Sequence, residues 1–323
     1  MFTTAEKKQI AKLNERLSRD IRIGLRVSQD PNYRLFEEFC DDLGRLAPRV
    51  KIAHKNETPE LPPQIQIGNG LHYQAVPSAH ELQPFLEALI TLDDGSSRDI
   101  GGPLKTRLKQ DNLPAALSVF IAPHCTFCPT VVRQLTALPL VDAGIQLTII
   151  DGTLFPEAAR AQRIQSVPTV LLDDQFRWTG ILPLEELIDT LNSRDPASLG
   201  AASLENILKE GQAGRLAAMM AVSGKIFPAF YELLIHEKWP VRLGAMVVME
   251  QIADRSPALA AEVLSFLWDR FQGSSDAIKG DILYLFGEIG NRRALSWLNE
   301  VLTGEYDSEV QEAAGEALEK LRQ

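Results

Sequence analysis

Cysteine is scarce in this chain. The 323 residues hold three, Cys40, Cys125 and Cys128, too few for a secreted scaffold built on several disulfides. Long apolar runs are missing too, and none approaches the ~18 residues a membrane-spanning helix needs. Basic charge is in deficit. With 33 Lys and Arg against 43 Asp and Glu the net charge is −10, which excludes the phosphate neutralisation that nucleic-acid binding rests on. No G-x-G-x-x-G stretch follows a strand pattern, so a dinucleotide-binding unit is not expected. The first twenty residues do not read as a secretory signal, because Ile10, Leu13 and Leu17 recur at helical spacing, as on a surface helix. With those alternatives removed, a cytoplasmic address is expected.

What is present is α/β patterning followed by helices. Alternating "IRIGLRV" (21–27) predicts a strand, and Asp30-Pro31 opens a helix whose Leu35, Phe36, Phe39 and Leu43 share one face. A second strand is expected at 49–55. Gly68-Asn69-Gly70, set between two short alternating runs, predicts a hairpin, and a helix follows at 78–91. After a turn-rich break at 93–102 and a short helix expected around 103–112, the order returns. It comprises the strand "LSVFIA", a helix opened by the cysteine pair and running to about Leu138, the strand "IQLTIID", a helix at 154–163, a hairpin from "TVLLDD" and "QFRWTG", and a closing helix. The two halves read as copies of one unit, the first without the cysteine pair.

Beyond a second break at 193–203 the strand signals vanish. "VRLGAMVVMEQIA" from Val241, "IKGDILYLFGEIG" from Ile278 and "VQEAAGEALEKL" from Val310 superimpose, with apolar or small residues at their first, fifth, ninth and twelfth positions. "QAGRLAAMMAVSG" from Gln212 is a weaker copy. Helix pairs recurring at a period in the thirties predict a short α-solenoid, and the stretch 200–323 resembles HEAT repeats.

The chemistry sits in "IAPHCTFCPT" (121–130). Two thiols separated by two residues can hold metal, form an inert staple or exchange electrons. Zinc needs four ligands, yet Cys40 stands alone and His54, His72, His80, His124 and His236 are scattered without metal spacing. A staple closing so short a loop removes little unfolded-chain entropy. The redox reading has positive support. Cys125 follows a strand and begins a helix, where unpaired N–H groups and the helix dipole favour a thiolate. Cys128, one turn on, is placed to attack a mixed disulfide formed on Cys125. Forty residues later Val167-Pro168-Thr169 heads a strand. A proline there is explained either by ordinary strand entry or by a cis-proline loop facing the cysteines.

Together, "HCTFCPTVVRQL", "IDGTLFPEAARAQRIQSVPTVLL" and the half-domain before them resemble the thioredoxin/glutaredoxin superfamily. Within it they are similar to the tandem thioredoxin-fold N-terminal domain of the alkyl hydroperoxide reductase flavoprotein and to the two-fold protein disulfide oxidoreductases. The resemblance covers roughly residues 18–195. It implies an α/β part of two tandem thioredoxin-like folds ahead of the all-α part. The division expected is residues 1–95 (N-terminal helix and a fold without the cysteine pair), 96–195 (the redox-active fold) and 200–323 (HEAT-like repeats).

By the same resemblance Cys125 is the attacking thiol, Cys128 the resolving thiol and Pro168 the cis-proline, with Val167 in the loop that holds an extended substrate. A first-fold glutamate near the pair maps to Glu81 in "PSAHELQPFL", as a carrier of the resolving thiol's proton; the alternative is a solvated glutamate in a helix's first turn. His124 departs from the family's small polar residue, and could add charge beside the thiolate or sit exposed. Pro63 is the first fold's counterpart of Pro168, and Cys40, between Phe39 and two aspartates, reads as structural. The implied activity is that of a protein thiol–disulfide oxidoreductase without a bound cofactor or metal. Its partners would be a protein disulfide substrate, a peroxiredoxin among the candidates, and a flavoprotein disulfide reductase or small thiol as electron donor. The helical repeats would dock a protein partner. The alternative from another class is an interaction scaffold whose cysteine pair is a redox switch.

Overall fold

Period-two alternation and helical stripes divide the chain where the residues change character, and the computed structural model follows that division. It describes residues 2–55, 59–94, 108 and 114–322, and its contacts separate two units, Met1–Arg194 and Asp195–Gln323.

The first unit is built on one eight-stranded mixed sheet. Its first half holds α1 (Thr4–Arg16), β1 (Ile21–Arg26), α2 (Tyr33–Leu46), β2 (Val50–Lys55), β3 (Gln64–Ile67), β4 (Leu71–Gln74), a 3₁₀ turn (Ala79–Glu81) and α3 (Leu82–Asp94). The second half holds β5 (Ala115–Ile121), α4 (Cys128–Thr136), α5 (Leu138–Val141), β6 (Ile145–Asp151), α6 (Pro156–Ala161), β7 (Thr169–Leu172), β8 (Phe176–Thr179) and α7 (Leu184–Ser193). The short helix expected around 103–112 lies, apart from Leu108, outside the described residues.

Strand order is β2-β1-β3-β4-β6-β5-β7-β8. In each half the first strand pairs parallel with the second and antiparallel with the third, which turns back into the fourth. The hairpin at Gly68-Asn69-Gly70 pairs Ile67 with Leu71, and Gly68 takes the left-handed φ of +58° that such a turn requires. The halves join where β4 runs parallel to β6, from Leu71 opposite Leu147 to Gln74 opposite Ile150. Asn32 Nδ2 adds a second tie by donating to the Leu154 carbonyl at 3.1 Å. Phe39, Phe85 and Tyr73 fill the first half's core with edge-to-face rings 5.2–5.5 Å apart.

The second unit is helical throughout its described residues apart from turns. Four helix pairs follow one another: α8 (Ala201–Lys209) with α9 (Ala213–Ser223), α10 (Phe230–Leu234) with α11 (Trp239–Arg255), α12 and α13 (Pro257–Ala260 and Val263–Phe271) with α14 (Asp276–Ile289), and α15 (Ala294–Thr303) with α16 (Ser308–Arg322). The second helices α9, α11, α14 and α16 pack each on the next. Of the recurring positions of the sequence, Val241, Ala245, Met249 and Ile252, then Ile282, Phe286 and Ile289, then Val310, Ala314 and Leu318 are buried, whereas Ile278 and Leu321 are half-buried. Arg242 staples this stack. Only 3% exposed, it ion-pairs with Asp281 of α14 at 2.6 Å and donates to the His236 and Glu237 carbonyls at 2.7 and 2.9 Å.

Two outcomes follow from these contacts. A Cβ on Gly70 would sit 2.5 Å from the Ile145 carbonyl oxygen and 2.9 Å from Pro139 Cβ, so Gly70→Ala should strain the β4–β6 seam and cost roughly 1–3 kcal/mol, measured as a lower urea midpoint. Arg242→Met should cost roughly 3 kcal/mol by leaving Asp281 and two carbonyls without their partner, and adding Asp281→Leu should recover part of that loss in the same assay.

Candidate active site

Strand β5 delivers the cysteine pair. After Ile121 the chain turns, with the Cys125 N–H donating to the Ala122 carbonyl at 3.0 Å, and α4 begins only at Cys128. This corrects the expectation that Cys125 itself begins the helix. It lies three residues ahead, in the turn, because Pro129 has no N–H to give the Cys125 carbonyl and the Cys128 N–H goes to Cys125 Sγ rather than to a carbonyl. The field of the helix start still reaches it, since the Cys128 N–H, an orphan donor of the first turn, points at Cys125 Sγ at 3.1 Å. Pro129 lies in that turn, where a missing N–H costs nothing.

Cys125 and Cys128 are joined as a disulfide with their Cα atoms 5.5 Å apart. The two sulfurs differ in access. Cys128 is fully buried on the face of α4 that also buries Val132 and Leu135, whereas Cys125 is partly exposed. Between them Phe127 stands 71% exposed, and His124 is exposed beside Cys125.

The antiparallel pairing of β7 with β5 sets Thr169 opposite Phe120, which brings the preceding residues up to the cysteine turn. The Val167–Pro168 peptide bond is cis, and the Val167 carbonyl oxygen lies 3.9 Å from Cys125 Sγ. Two hydrogen bonds hold this loop: Thr169 Oγ1 donates to the Ser166 carbonyl at 2.7 Å, and the Gly180 N–H donates to the Pro168 carbonyl at 2.9 Å. Ile181, next in the chain, is 87% exposed. Pro63 is buried at the entry of β3, the matching place in the first half, on a trans bond.

Glu81 is not a solvated first-turn glutamate. It ends the 3₁₀ turn that packs against α4, is 3% exposed, and neither carboxylate oxygen has a hydrogen-bond partner. Burial, and secondarily the nearby Asp151 carboxylate, raise its pKa from 4.5 to about 7 against the opposing pull of Arg133. Around it stand Arg133 of α4, which ion-pairs with Glu87 of α3 at 2.6 Å, and buried Tyr73 of β4, whose hydroxyl also lacks a partner. Burial, with Glu81 and Glu87 nearby, lifts the Tyr73 hydroxyl well above its ordinary pKa. Asp151 is held by the N–H and hydroxyl of Thr153 at 2.8 and 2.7 Å. The turn is anchored from α1, where Glu6 Oε1 accepts the N–H of Ala79 at 2.9 Å, a residue in the left-handed region at φ +50°.

The structure brings the predicted Cys125, Cys128, Val167 and Pro168 together and sets Glu81 against the helix of Cys128; Tyr73, Arg133 and Asp151 around Glu81, and Glu6 behind its turn, were not among the residues read from the sequence. Asp151 left a signal as a carboxylate closing the apolar run "IQLTIID"; the others belong to ordinary amphipathic patterns. Cys40 is buried on α2, and burial with the neighbouring Asp41 pushes its thiol up to about 12, so it stays protonated at neutral pH. Among the described residues no group of three or more His, Cys, Asp or Glu side chains converges as a metal site would require.

Comparison with known proteins matches residues 116–192 to the thioredoxin domain family. An alkyl hydroperoxide reductase of Staphylococcus epidermidis, the F component of that enzyme, is 22% identical over 203 residues, covering 61% of this chain and 39% of that protein. An NADH dehydrogenase of Bacillus subtilis is 23% identical over 195 residues, covering 59% and 38%. The chain thus spans about two-fifths of the length of these curated relatives. Among solved structures, the NTD_N/C domain of the alkylhydroperoxide reductase AhpF from Enterococcus faecalis aligns with a TM-score of 0.53 at 19% identity, covering 59% of this chain and 100% of that one. A protein disulfide oxidoreductase from Aeropyrum pernix aligns with a TM-score of 0.52 at 14% identity, covering 59% and 93%. The α/β unit therefore has a thioredoxin-type fold, with a bonded cysteine pair where its second half turns from strand to helix.

Glu81 gives a pH test with a definite sign. Its folded-state pKa lies above the unfolded value, so the native state holds the extra proton and stability falls as pH rises from about 4.5 to about 7. Glu81→Gln should unfold like the parent near pH 4 and be more stable at pH 8, by up to roughly 3 kcal/mol, in denaturant titrations at the two pH values.

Proposed function

We propose that the chain is a thiol–disulfide oxidoreductase that reduces or exchanges protein disulfides through Cys125 and Cys128. The observation that carries this reading is the asymmetry of the bonded pair: one accessible sulfur facing a cis-proline loop, and one fully buried at a helix start. In the reduced protein, the Cys125 thiolate attacks a partner's disulfide. A Cys125–partner bond forms and one partner thiolate leaves. Cys128 gives its proton to Glu81, whose raised pKa suits it to that exchange near neutral pH. It then attacks Cys125 Sγ, restoring the Cys125–Cys128 bond and releasing the second partner thiolate. Two electrons pass from the pair to the partner, and a flavoprotein disulfide reductase or small thiol returns them. The backbone at Val167 and Pro168 aligns the extended substrate segment, and His124 flanks the attacking sulfur.

In this reading the α/β unit comprises two tandem thioredoxin-like folds, over 1–95 and 96–195, of which only the second is redox-active. The repeated strand order of the sheet supports that division. Residues 200–323 form a HEAT-like solenoid that docks the protein partner, which the stacked helix pairs support, and the reaction runs in the cytoplasm. The names of the reductase relatives make a peroxiredoxin-type disulfide one candidate substrate.

The test is multiple-turnover reduction of insulin disulfides with dithiothreitol as donor. Cys125→Ser should abolish turnover, and Cys128→Ser should accumulate mixed disulfides visible on non-reducing gels. Oxidation of the pair in a single stoichiometric event, with altered partner binding and no turnover, would make it a redox switch and sink the catalytic reading.

A further inference from the structure

The three exposed aromatic or leucine side chains of α11 and α14 gather on one face. Trp239 and Leu243 lie one helical turn apart on α11 and are 55% and 39% exposed, and half-buried Val247 continues the row. Tyr284 of α14, 43% exposed, joins this row because its hydroxyl donates to Glu250 of α11 at 2.9 Å. Apolar side chains scattered singly need no explanation, whereas a contiguous patch does.

The next helix changes the character of the same face. Lys320 of α16 ion-pairs with Glu288 of α14, which sets α16 alongside on that side. The recurring register then places Glu312 where α11 has Leu243 and α14 has Gly280, and Glu316 where they have Val247 and Tyr284. Both glutamates are exposed, and neither has an ion-pair partner among the described residues. From Ala294 to Glu319 the chain carries acidic side chains and no Lys or Arg. An apolar row thus runs into an acidic one, with Lys320 at its far end held by Glu288.

We infer that this face docks an amphipathic segment of a partner protein, its apolar side chains on Trp239, Leu243 and Tyr284 and its Lys or Arg side chains over Glu312 and Glu316. The acidic row selects the occupant: an acidic segment meets like charge there, and a purely apolar one leaves both glutamates desolvated without a partner. The inference deepens the docking role proposed above and rests on it, but its test does not depend on the chemistry of the cysteine pair.

The experiment uses the full chain and three fluorescent synthetic peptides, one of leucine and lysine with helical periodicity, one of leucine and glutamate, and one of serine and lysine, read by anisotropy. The leucine–lysine peptide should bind and shield Trp239 from acrylamide. Leu243→Asp is the decisive variant because it adds negative charge. Attraction of a basic peptide by charge alone predicts tighter binding, whereas docking on the apolar row predicts a loss of about tenfold or more. Glu312→Lys with Glu316→Lys should weaken binding severalfold and flatten its salt dependence. Both variants should retain the parent's circular dichroism. Unchanged or tighter binding by Leu243→Asp, or equal binding of the serine–lysine or leucine–glutamate peptide, overturns the inference. So does a dimer without peptide that Leu243→Asp dissolves, since the face would then belong to a second copy of the chain.

Discussion

The register of β7 against β5 is the constraint on which the site depends. Cys125 and Pro168 are more than forty residues apart, and nothing local brings them together. Thr169 opposite Phe120 does so, because once that pair is fixed the residue before β7 must arrive beside the end of β5, where the chain turns toward the cysteines. All four residues of β7, Thr169 to Leu172, are buried, so a slip of one residue would turn each side chain to the opposite packed face and break the fit on both. Val170 and Leu172 are fully buried in their strand, so the hydrophobic core enforces the alignment of the site as well as stability. The approach of the Val167 carbonyl to Cys125 Sγ is therefore paid for by packing that has no chemical role.

The same unit holds one group at a cost. A carboxyl without hydrogen-bond partners in a buried position is destabilising when ionised, yet Glu81 is held there from several sides. Glu6 anchors the turn that carries it, Arg133 moderates its charge from α4, and Asp151 opposes ionisation from the end of β6. Groups arranged so that a carboxyl titrates near neutrality are what the proposed proton transfer from Cys128 requires, and the turn that carries Glu81 packs against the helix of Cys128.

Much of this was legible in the residues. Period-two alternation in "IRIGLR" and "IQLTIID" and the glycines at 68 and 70 give strands and hairpin where the sheet has them, and the positions recurring from Val241, Ile278 and Val310 are those that pack. The cysteine spacing and the distant Val-Pro-Thr identify the pieces of the site. The start of α4 differs from the expected one because a turn ahead of a helix and the helix's first turn share the same residue types; what separates them is that Pro129 cannot donate to the Cys125 carbonyl and that the Cys128 N–H turns to Cys125 Sγ. The cluster around Glu81 was illegible for a different reason. Tyr73, Arg133 and Glu6 each satisfy an ordinary local pattern, and their convergence is set by the β4–β6 seam and by α1, which no local window contains.

The helical unit separates its two demands by position. On α11, α14 and α16 the first, fifth and ninth positions of the repeat stay apolar or small, because each must fit the neighbouring helix. The third and seventh do not share that constraint and diverge, through leucine, glycine and glutamate at one and valine, tyrosine and glutamate at the other. Helices that only stabilised one another would be free to fill such positions with solvated side chains throughout, as α16 does. Keeping Trp239, Leu243 and Tyr284 in water on two adjacent helices carries a solubility cost that stacking does not require. A constant packing frame bearing a face graded from apolar to acidic is the arrangement expected where stacked helices supply a recognition surface, with the frame setting the spacing of the contacts and the variable positions setting their chemistry.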